Sequence, residues 1–355
     1  MLYENHPRRI LPSEMQKNVI SSSDRPIIQC IGWYNKNNFG DDLMALGLSI
    51  LFPDFDLKFS SEFIHPEARA VILGGGDVID DYYIKIIEDR KLPVIIFGAG
   101  LRSWTELELL SHLDLRLAIM RNYNDYVAVA AQGYRAFHGA DPGFATWTPA
   151  VVKNKFRSDE KPKLMIALND EFNARWRIPN PDRMMHFFWA NYVSEVLARA
   201  ASVWENDWWT VWACFSTKQP LDRAMAYDIT QRMSPPLIEF DQVNMVDLGQ
   251  SLDIYADMQA SVSLRYHGAV LAVMTGTPFV AVSPALKTDN FMRENDLEDL
   301  LVPSNSIDYD VLLSKFNTSV TDKAMQSRLT NVAATNHARL KKAAEEAAAV
   351  LRAII

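Results

Sequence analysis

The sequence predicts an α/β protein with two Rossmann-like, doubly wound parallel sheets, one in each half of a chain of 355 residues. Short apolar runs alternate with longer segments of helical periodicity, which is the pattern of βαβ units in a parallel sheet. The alternation lapses between residues 142 and 162, where a polar stretch is interrupted by prolines and a glycine, and then starts again. A chain of this length also exceeds the usual size of a single core, so two domains are expected.

The first half, residues 26–150, is the predicted N-terminal domain. Its predicted buried strands are Ile27–Trp33, Ala70–Leu73, Val94–Gly98 and Leu115–Met120. A helix is predicted from Asp41 to Leu51, because two acids at its start suit the positive end of a helix dipole.

The second half, residues 160–320, repeats the alternation as the predicted C-terminal domain. Its predicted strands are Leu164–Leu168, Thr210–Cys214, Leu237–Phe240, Ser261–Leu264 and Phe279–Val282. Its predicted helices are Arg183–Ala201, Leu221–Met233, Met245–Asp257 and one that starts near His267. Ligands of such sheets bind at the carboxyl ends of the strands, so we expect a cleft between the two domains.

The end of the chain, residues 321–355, has a single long Ala-rich helical pattern, predicted to run from Asp322 to Ile355. We expect this helix to pack back across the two domains. Its basic residues leave a membrane-surface helix as the alternative, which Glu345 and Glu346 make less favourable by diluting the positive charge.

Composition excludes several classes of function. A formal net charge of -8 argues against a nucleic-acid-binding surface, which would need a basic face. The two cysteines have no C-x-x-C spacing and no pair of histidines has the spacing of zinc ligands, so we expect no disulfide framework and no metal. The apolar runs are too short to cross a bilayer and the N-terminal segment does not resemble a signal peptide, which predicts a cytoplasmic protein.

Two glycine-containing motifs follow predicted strands of the first half. The segment from Asn38 through Gly40 to Asp41 and Asp42 allows a tight turn into a helix with free N–H groups. Either acid could hydrogen-bond a sugar hydroxyl or act as a base, or the motif could be an ordinary helix cap.

The second motif is Gly74-Gly75-Gly76 followed by Asp77, where the backbone could approach a ligand closely or turn a crowded corner. It is not a G-x-G-x-x-G fingerprint and the chain has no Walker A sequence. Nucleotide binding therefore has no positive support.

The strongest candidate site is the segment Ser263-Leu264-Arg265-Tyr266-His267-Gly268, where a predicted strand turns into a helix. A helix N-terminus presents N–H donors and a positive dipole to a phosphate or carboxylate. Arg265 adds a planar two-pronged donor, and His267 can donate a proton near neutral pH. The alternative is that Arg265 pairs with a surface acid and His267 caps the helix.

These residues resemble the polysaccharide pyruvyl transferase family, and in particular its exopolysaccharide branch. Seven features match its motifs in order between about residues 27 and 290: Asn38-Phe39-Gly40-Asp41-Asp42, Gly74-Gly75-Gly76, Arg121, Asp141-Pro142, Leu264-Arg265-Tyr266-His267, Gly276-Thr277-Pro278 and Lys287. Two positions depart from the family pattern. Asn169 stands where the family often has an arginine, and Pro284 stands where it commonly has a tyrosine.

The resemblance implies a GT-B-like fold and a reaction in which phosphoenolpyruvate, as co-substrate with no further cofactor, gives its pyruvate to two hydroxyls of a sugar as a ketal. It implies His267 as general acid and Arg265 as donor-binding residue. Arg265 and Lys287 would together stabilise the leaving phosphate, and Asp41 would orient the sugar hydroxyls or accept their protons. The remaining expected substrate-binding residues are Asn38, Gly40, Asp42, Gly74, Gly75, Gly76, Asp77, Tyr266, Gly268 and Arg175. Arg175, or alternatively Arg177, could substitute for the arginine absent at Asn169.

The implied partners are phosphoenolpyruvate and a saccharide acceptor, which could be lipid-linked and would then bring the protein to the inner face of the cell membrane. Two rival hypotheses remain at this point. One is a GT-B glycosyltransferase that uses a nucleotide sugar. The other is a non-catalytic glycan-binding relative, for which the asparagine at position 169 is an argument.

Overall fold

The computed structural model describes residues 25–152, 161–169, 182–216, 221–283, 285–303 and 306–355. The expected binding residue Arg175, its alternative Arg177 and the family departure at Pro284 lie outside these ranges. Within them the chain forms two six-stranded sheets, and every strand pairing in both is parallel.

The first sheet has the order β2-β1-β3-β4-β5-β6. Its strands are β1 (Ile27–Ile31), β2 (Asp56–Ser60), β3 (Ala70–Gly76), β4 (Pro93–Ala99), β5 (Asp114–Met120) and β6 (Ala136–His138). The helices among them are α1 (Phe39–Leu51), α2 (Asp81–Glu88) and α3 (Tyr123–Ala131), with 3₁₀ helices at Trp104–His112, Pro142–Thr146 and Pro149–Val151.

The second sheet has the order β12-β11-β10-β7-β8-β9. Its strands are β7 (Lys163–Ala167), β8 (Trp209–Cys214), β9 (Asp241–Asn244), β10 (Ala260–Ser263), β11 (Phe279–Ser283) and β12 (Leu301–Pro303). Its helices are α4 (Asp182–Asp207), α5 (Leu221–Arg232), α6 (Leu248–Ala256), α7 (Tyr266–Thr275), α8 (Leu286–Glu294) and α9 (Tyr309–Thr321), with a 3₁₀ helix at Glu298–Leu300. The predicted α/β architecture of two parallel sheets is therefore confirmed.

The predicted strand at Leu237–Phe240 is wrong. The third strand of the second half is instead β9, which starts four residues further on and is only partly buried. Strand β9 is an edge strand that pairs with β8 alone, so it does not need the apolar run expected of a strand buried on both faces. Leu237 and Phe240 instead pack against the core from irregular backbone, and Ile238 between them is 82% exposed.

The C-terminal helix α10 spans Met325–Ile354. It starts three residues later than predicted, because Asp322 ends helix α9 as its C-cap. As expected, α10 packs back across both halves of the chain, against α7 of the second half and against β5 and β6 of the first. Ion pairs of Arg352 with Asp54 and of Arg135 with Glu346 also join it to the first half.

One hydrophobic core is shared by the two sheets. It includes Ile95 of β4, Met165 of β7, Leu271 of α7 and Leu340 of α10, all fully buried. A second core lies within the first half alone and a third within the second half alone. The cleft between the sheets is therefore closed on the side where α1, α7 and α10 pack together. Among the helices of the described ranges, none has the length and apolar content that crossing a membrane would require.

Candidate active site at the facing sheet edges

The candidate site lies where the carboxyl ends of both sheets face each other. The residues after β1, β3, β5 and β6 come from the first half, and those after β10 and β11 from the second. This arrangement brings together His267, Asp141, Asp77, Arg121 and Lys287, which the chain order keeps far apart.

His267 is in the first turn of α7 and lies against the first turn of α1. The approach is so close that a Cβ built on Gly40 would lie 1.9 Å from His267 Nδ1. Helix α1 is itself held against the second half, because Phe39 N–H donates to the Phe215 carbonyl at 3.0 Å and Asn38 forms a bridge with Ser216. Gly40 is thus required by the contact between two helix starts, one from each half.

Asp141 faces the other nitrogen of the same imidazole. Its Oδ2 lies 3.4 Å from His267 Nε2, within ion-pair distance but without hydrogen-bond geometry, and both atoms are buried with no other hydrogen-bond partner among the described residues. Its Oδ1 accepts the Gly143 N–H at 2.8 Å and so caps the 3₁₀ helix after β6. Burial alone would raise the pKa of Asp141, but His267 and Arg121 hold it below its usual value. A carboxylate whose pKa is lowered therefore faces His267 Nε2.

Asp77, Arg121 and Lys287 form a charged cluster beside this pair. Arg121 Nη2 donates to Asp77 Oδ1, and Lys287 Nζ lies 3.4 Å from Asp77 Oδ2, which links the two halves. Although burial acts to raise it, the pKa of Asp77 is lowered by these two cations. The Arg121 guanidinium also lies 5.0 Å from the centre of the Tyr266 ring, a cation–π contact that orients both groups.

Asp41 is buried in the same region and carries a strongly perturbed carboxyl group. Burial raises its pKa well above the usual value, and Lys287 only partly opposes this. A Cβ on Gly76 would lie 3.4 Å from Asp41 Oδ1, so the glycine loop after β3 passes close to the carboxylate. The neighbouring Asp42 is half-buried, and burial raises its pKa as well.

The glycine loop adopts backbone conformations that other residues rarely take. Gly75 and Gly76 have φ angles of 90° and 102°. A Cβ on Gly74 would lie 2.4 Å from the Phe97 carbonyl oxygen, and one on Gly75 would lie 2.7 Å from the Tyr34 hydroxyl. Packing against neighbouring protein thus accounts for the first two glycines, whereas Gly76 borders Asp41 and the cleft.

Arg265 is the N-cap of α7 and pairs with an acid, as the alternative hypothesis expects, but this acid is buried rather than at the surface. Its Nη2 donates to both carboxylate oxygens of Asp222, at 2.6 and 2.8 Å, and its Nε donates to the Leu168 carbonyl at 2.9 Å. Asp222 Oδ2 also accepts the N–H groups of Phe215 and Ser216. The Nη1 group of Arg265 makes no hydrogen bond with the described residues and the side chain is 16% exposed, so one donor remains available to a ligand.

Gly268, an expected binding residue, and Asn169, a departure from the family pattern, both contact neighbouring protein groups. A Cβ on Gly268 would lie 2.1 Å from Ser263 Oγ, and the Gly268 carbonyl accepts the Tyr255 hydroxyl. Asn169 is 2% exposed and donates to the Leu264 carbonyl at 3.2 Å, next to the start of the Arg265 turn. Asn169 therefore helps to hold the turn in which Arg265 lies.

A small polar cavity of about 10 Å³ adjoins the cluster, with room for about one water molecule. Its walls come from both halves and from α10: Arg121, Asn122, Asp141, Tyr266, Lys287, Phe291, Glu294, Asn295 and Asn336. Glu294 is bonded to the first half here, since its Oε2 accepts the Tyr123 N–H at 3.0 Å and its Oε1 contacts His138. Helix α8 thus contacts the first half at both ends, through Lys287 and through Glu294.

Three residues of this site were not among the predicted site residues. Arg121 and Asp141 had a signal in the sequence, because both match family motifs. Asp222 had none, because only the fold brings it to Arg265.

The comparison with protein families agrees with this geometry. The model of the family described as polysaccharide pyruvyl transferase matches residues 38–285, which include every residue of the cluster except Lys287. The chain belongs to the polysaccharide pyruvyl transferase family. It is therefore a transferase of the pyruvyl transferase family, whose name implies a saccharide acceptor. A search of curated proteins gave no match.

Several solved structures share the fold of this member of the polysaccharide pyruvyl transferase family at low sequence identity. A putative UDP-N-acetylglucosamine 2-epimerase from Listeria monocytogenes has a TM-score of 0.57 at 11% identity, over 92% of this chain and 96% of that one. The UDP-N-acetylglucosamine 2-epimerase from Rickettsia bellii also has a TM-score of 0.57, at 9% identity over 91% of this chain and 97% of that one. The UDP-GlcNAc 2-epimerase from Neisseria meningitidis, bound to UDP-GlcNAc, has a TM-score of 0.53 at 9% identity, over 92% of this chain and 99% of that one. These similarities confirm the predicted GT-B-like fold.

Proposed function

We propose that this protein transfers pyruvate from phosphoenolpyruvate to a saccharide and closes a ketal on two of its hydroxyls. The observation that carries the proposal is the inter-domain cluster of His267, Asp141 and Lys287 in a chain of this family. It combines a proton donor with a cation at the edge of a cleft, which a reaction between an anionic donor and a neutral sugar requires.

Donor binding is assigned to cations of the second half. Phosphoenolpyruvate carries a carboxylate and a phosphate, and the α7 N-terminus offers backbone donors for such groups. Arg265 has its Nη1 available while Asp222 and the Leu168 carbonyl fix the rest of the guanidinium. Lys287, 26% exposed, supplies the second charge from the start of α8. These two residues would stabilise the phosphate as it leaves.

Proton transfer is assigned to His267. Protonation of the methylene carbon of phosphoenolpyruvate makes the adjacent carbon electrophilic, and a sugar hydroxyl adds there. Loss of inorganic phosphate and addition of the second hydroxyl close the ketal, so the two hydroxyl protons balance those gained by the methylene carbon and the phosphate. Asp141, whose Oδ2 lies 3.4 Å from Nε2, keeps the imidazole oriented.

Asp41 is the assigned acceptor of a hydroxyl proton. Because burial raises its pKa, it binds a proton more readily than an exposed carboxylate would at the same pH. It lies on α1 of the first half, one residue after the Gly40 that contacts His267, so acid and base come from different domains.

A cytoplasmic reaction fits the two free, buried cysteines. If the acceptor is lipid-linked, the protein would work at the inner face of the cell membrane.

The proposal is tested by thermal shift and by phosphate release. We expect phosphoenolpyruvate to raise the melting temperature and nucleotide sugars to leave it unchanged. Phosphate release from phosphoenolpyruvate is then measured over a panel of saccharides ending in glucose, galactose or mannose. Stabilisation by nucleotide sugars alone would support a glycosyltransferase instead, and no response to any of these ligands would support a non-catalytic relative.

The acid assignment is tested with His267→Ala. Loss of a general acid typically lowers the rate by about 10²- to 10⁴-fold, and we expect a loss of that order in phosphate release with an active acceptor. His112→Ala is the matched control, because His112 is 52% exposed and lies in the 3₁₀ helix after β4. Undiminished ketal formation by the His267 variant would show that another group donates the proton.

A further inference from the structure

Three successive helical segments of the first half each begin with a large exposed aromatic residue. Tyr82 is the second residue of α2 and is 53% exposed, Trp104 is the first residue of the 3₁₀ helix after β4 and is 61% exposed, and Tyr123 is the first residue of α3 and is 54% exposed. Single exposed aromatics are common on protein surfaces, but here three neighbouring segments each have one at the first or second residue.

These residues form a row along one rim of the cleft. The segments that carry them follow β3, β4 and β5, which are neighbours in the sheet, so all three begin at the carboxyl edge where the candidate site lies. Neighbouring strands are about 4.8 Å apart and packed helices about 8–10 Å apart, which sets the scale of the row. Asp77, in the charged cluster, is only three residues from Asp80, the N-cap of α2. At the other end of the row, Arg121 of the same cluster is two residues from Tyr123, so both ends of the row adjoin the candidate site.

The rings are exposed although one end of the row meets the second half. The segments α2, the 3₁₀ helix after β4 and α3 pack on a core confined to the first half, while the Tyr123 N–H donates to Glu294 of α8 at 3.0 Å. A long ligand bound at the candidate site would meet the three rings along this edge.

The aromatic residues have the surroundings of a sugar-binding surface. Tyr82 packs edge-on against Tyr83 at 5.1 Å between ring centres, and Tyr123 packs edge-on against His138 at 5.6 Å, so both rings are pre-oriented. Between Tyr82 and Trp104, Arg102 donates to Asp80 at 3.3 Å while its side chain is 46% exposed. Flat apolar rings beside fixed polar groups suit pyranose rings, which have apolar faces and hydroxyl edges.

We propose that Tyr82, Trp104 and Tyr123 bind the saccharide chain of the acceptor beyond the sugar that reacts. The ligand is a chain of neutral sugar units, and the surface makes the protein select long acceptors over monosaccharides. This inference rests on the proposed function for the place of the reacting sugar, but binding of the chain does not require the chemistry to occur.

The test is direct binding, without phosphoenolpyruvate, of gluco-, manno- and galacto-oligosaccharides of one to six units by titration calorimetry. We expect the affinity to rise with length in at least one series. Trp104→Ala and Tyr82→Ala should each lower the affinity for the longest member about tenfold, while binding of the monosaccharide stays unchanged. Trp209→Ala is the matched control, since Trp209 is 48% exposed but starts β8 at the opposite, amino edge of the other sheet.

Equal affinity of the wild type for short and long chains in all three series would overturn the proposal, and so would variants that bind long chains as tightly as the wild type. Failure of the proposed reaction would appear separately, as absence of phosphate release in a protein that still binds long chains. Melting temperatures of the variants close to that of the wild type would confirm that the folded protein is being compared.

Discussion

At the scale of single residues, the site is defined by how carboxylates are distributed around a few cations. Asp77 and Asp141 each face cations, and their pKa values are lowered. At Asp41, in the same region, the effect of burial outweighs that of the nearby cations and raises the pKa. Asp41 and Asp141 are buried and Asp77 is partly exposed, so the three aspartates differ in pKa according to their burial and their neighbours, which is how a site assigns acid and base roles at one pH.

The raised pKa of Asp41 predicts a pH-dependent effect of Asp41→Asn on stability. Between the pKa of the unfolded chain, about 3.9, and the higher value in the folded protein, folded molecules bind more protons than unfolded ones, so the wild type loses stability as the pH rises. Asparagine cannot ionise. We expect the stability of the variant relative to the wild type to increase from pH 4 to pH 8 in urea unfolding, while phosphate release falls.

Asp54→Asn is the control for this experiment, because Asp54 is 61% exposed. The same increase in the control, or a stability difference for Asp41→Asn that does not vary with pH, would contradict the assignment.

At the scale of secondary-structure elements, the site depends on two helix starts that meet. Helices α1 and α7 belong to different halves, and Gly40 permits their contact because it has no side chain to displace the imidazole of His267. The sequence indicates a tight turn at Gly40, but not its partner, because the contact requires the complete fold.

Gly40→Ala should therefore move His267 with little change in the helix. A methyl group 1.9 Å from Nδ1 cannot be accommodated unless the ring or the helix shifts. We expect phosphate release to fall at least about 100-fold, the scale on which a displacement of about 1 Å affects catalysis. The rate of phosphate release by this variant is compared with that of Gly249→Ala. Gly249 is also the second residue of a helix, but the atom nearest to a Cβ there would be 3.6 Å away. Full activity of Gly40→Ala would show that His267 need not hold this position.

Sequence patterns predicted the central strands and missed the peripheral ones for a physical reason. Strands such as β3, β4 and β11 are buried on both faces and contain continuous apolar runs, whereas β2, β6, β9 and β12 are at sheet edges and are short or only partly apolar. The strand-end motifs were recognisable because turns need particular residues. The pairs that complete the site, Arg265 with Asp222 and His267 with Asp141, were not, because they depend on packing between distant segments.

At the scale of the whole molecule, the shared core makes the two halves one mechanical unit on one side. Residues of α10 fill this core between the sheets, and Leu340 is fully buried in it. The opening of the cleft is therefore restricted to a movement that keeps these contacts.

Leu340→Ala should weaken both halves together. A buried leucine cut back to alanine typically costs about 2–5 kcal/mol, and here the cavity would lie in a core that both sheets use. We expect hydrogen exchange to accelerate in β3 and in β10 by similar factors, with Lys341→Ala, at an exposed position of the same helix, as the control. Acceleration confined to one sheet would show that the halves are stabilised independently.

The division of charge across the cleft has a consequence for the order in which substrates bind. The first half contributes Asp41, Asp77 and Asp141 against one arginine, Arg121, while the second half contributes Lys287 and His267 beside the α7 N-terminus. In an open cleft, a trianionic donor is attracted to the second half and repelled by the first. Under the proposed function, steady-state kinetics should therefore be sequential. The anionic donor binds first and offsets the positive charge of the second half, and the neutral glycan binds second.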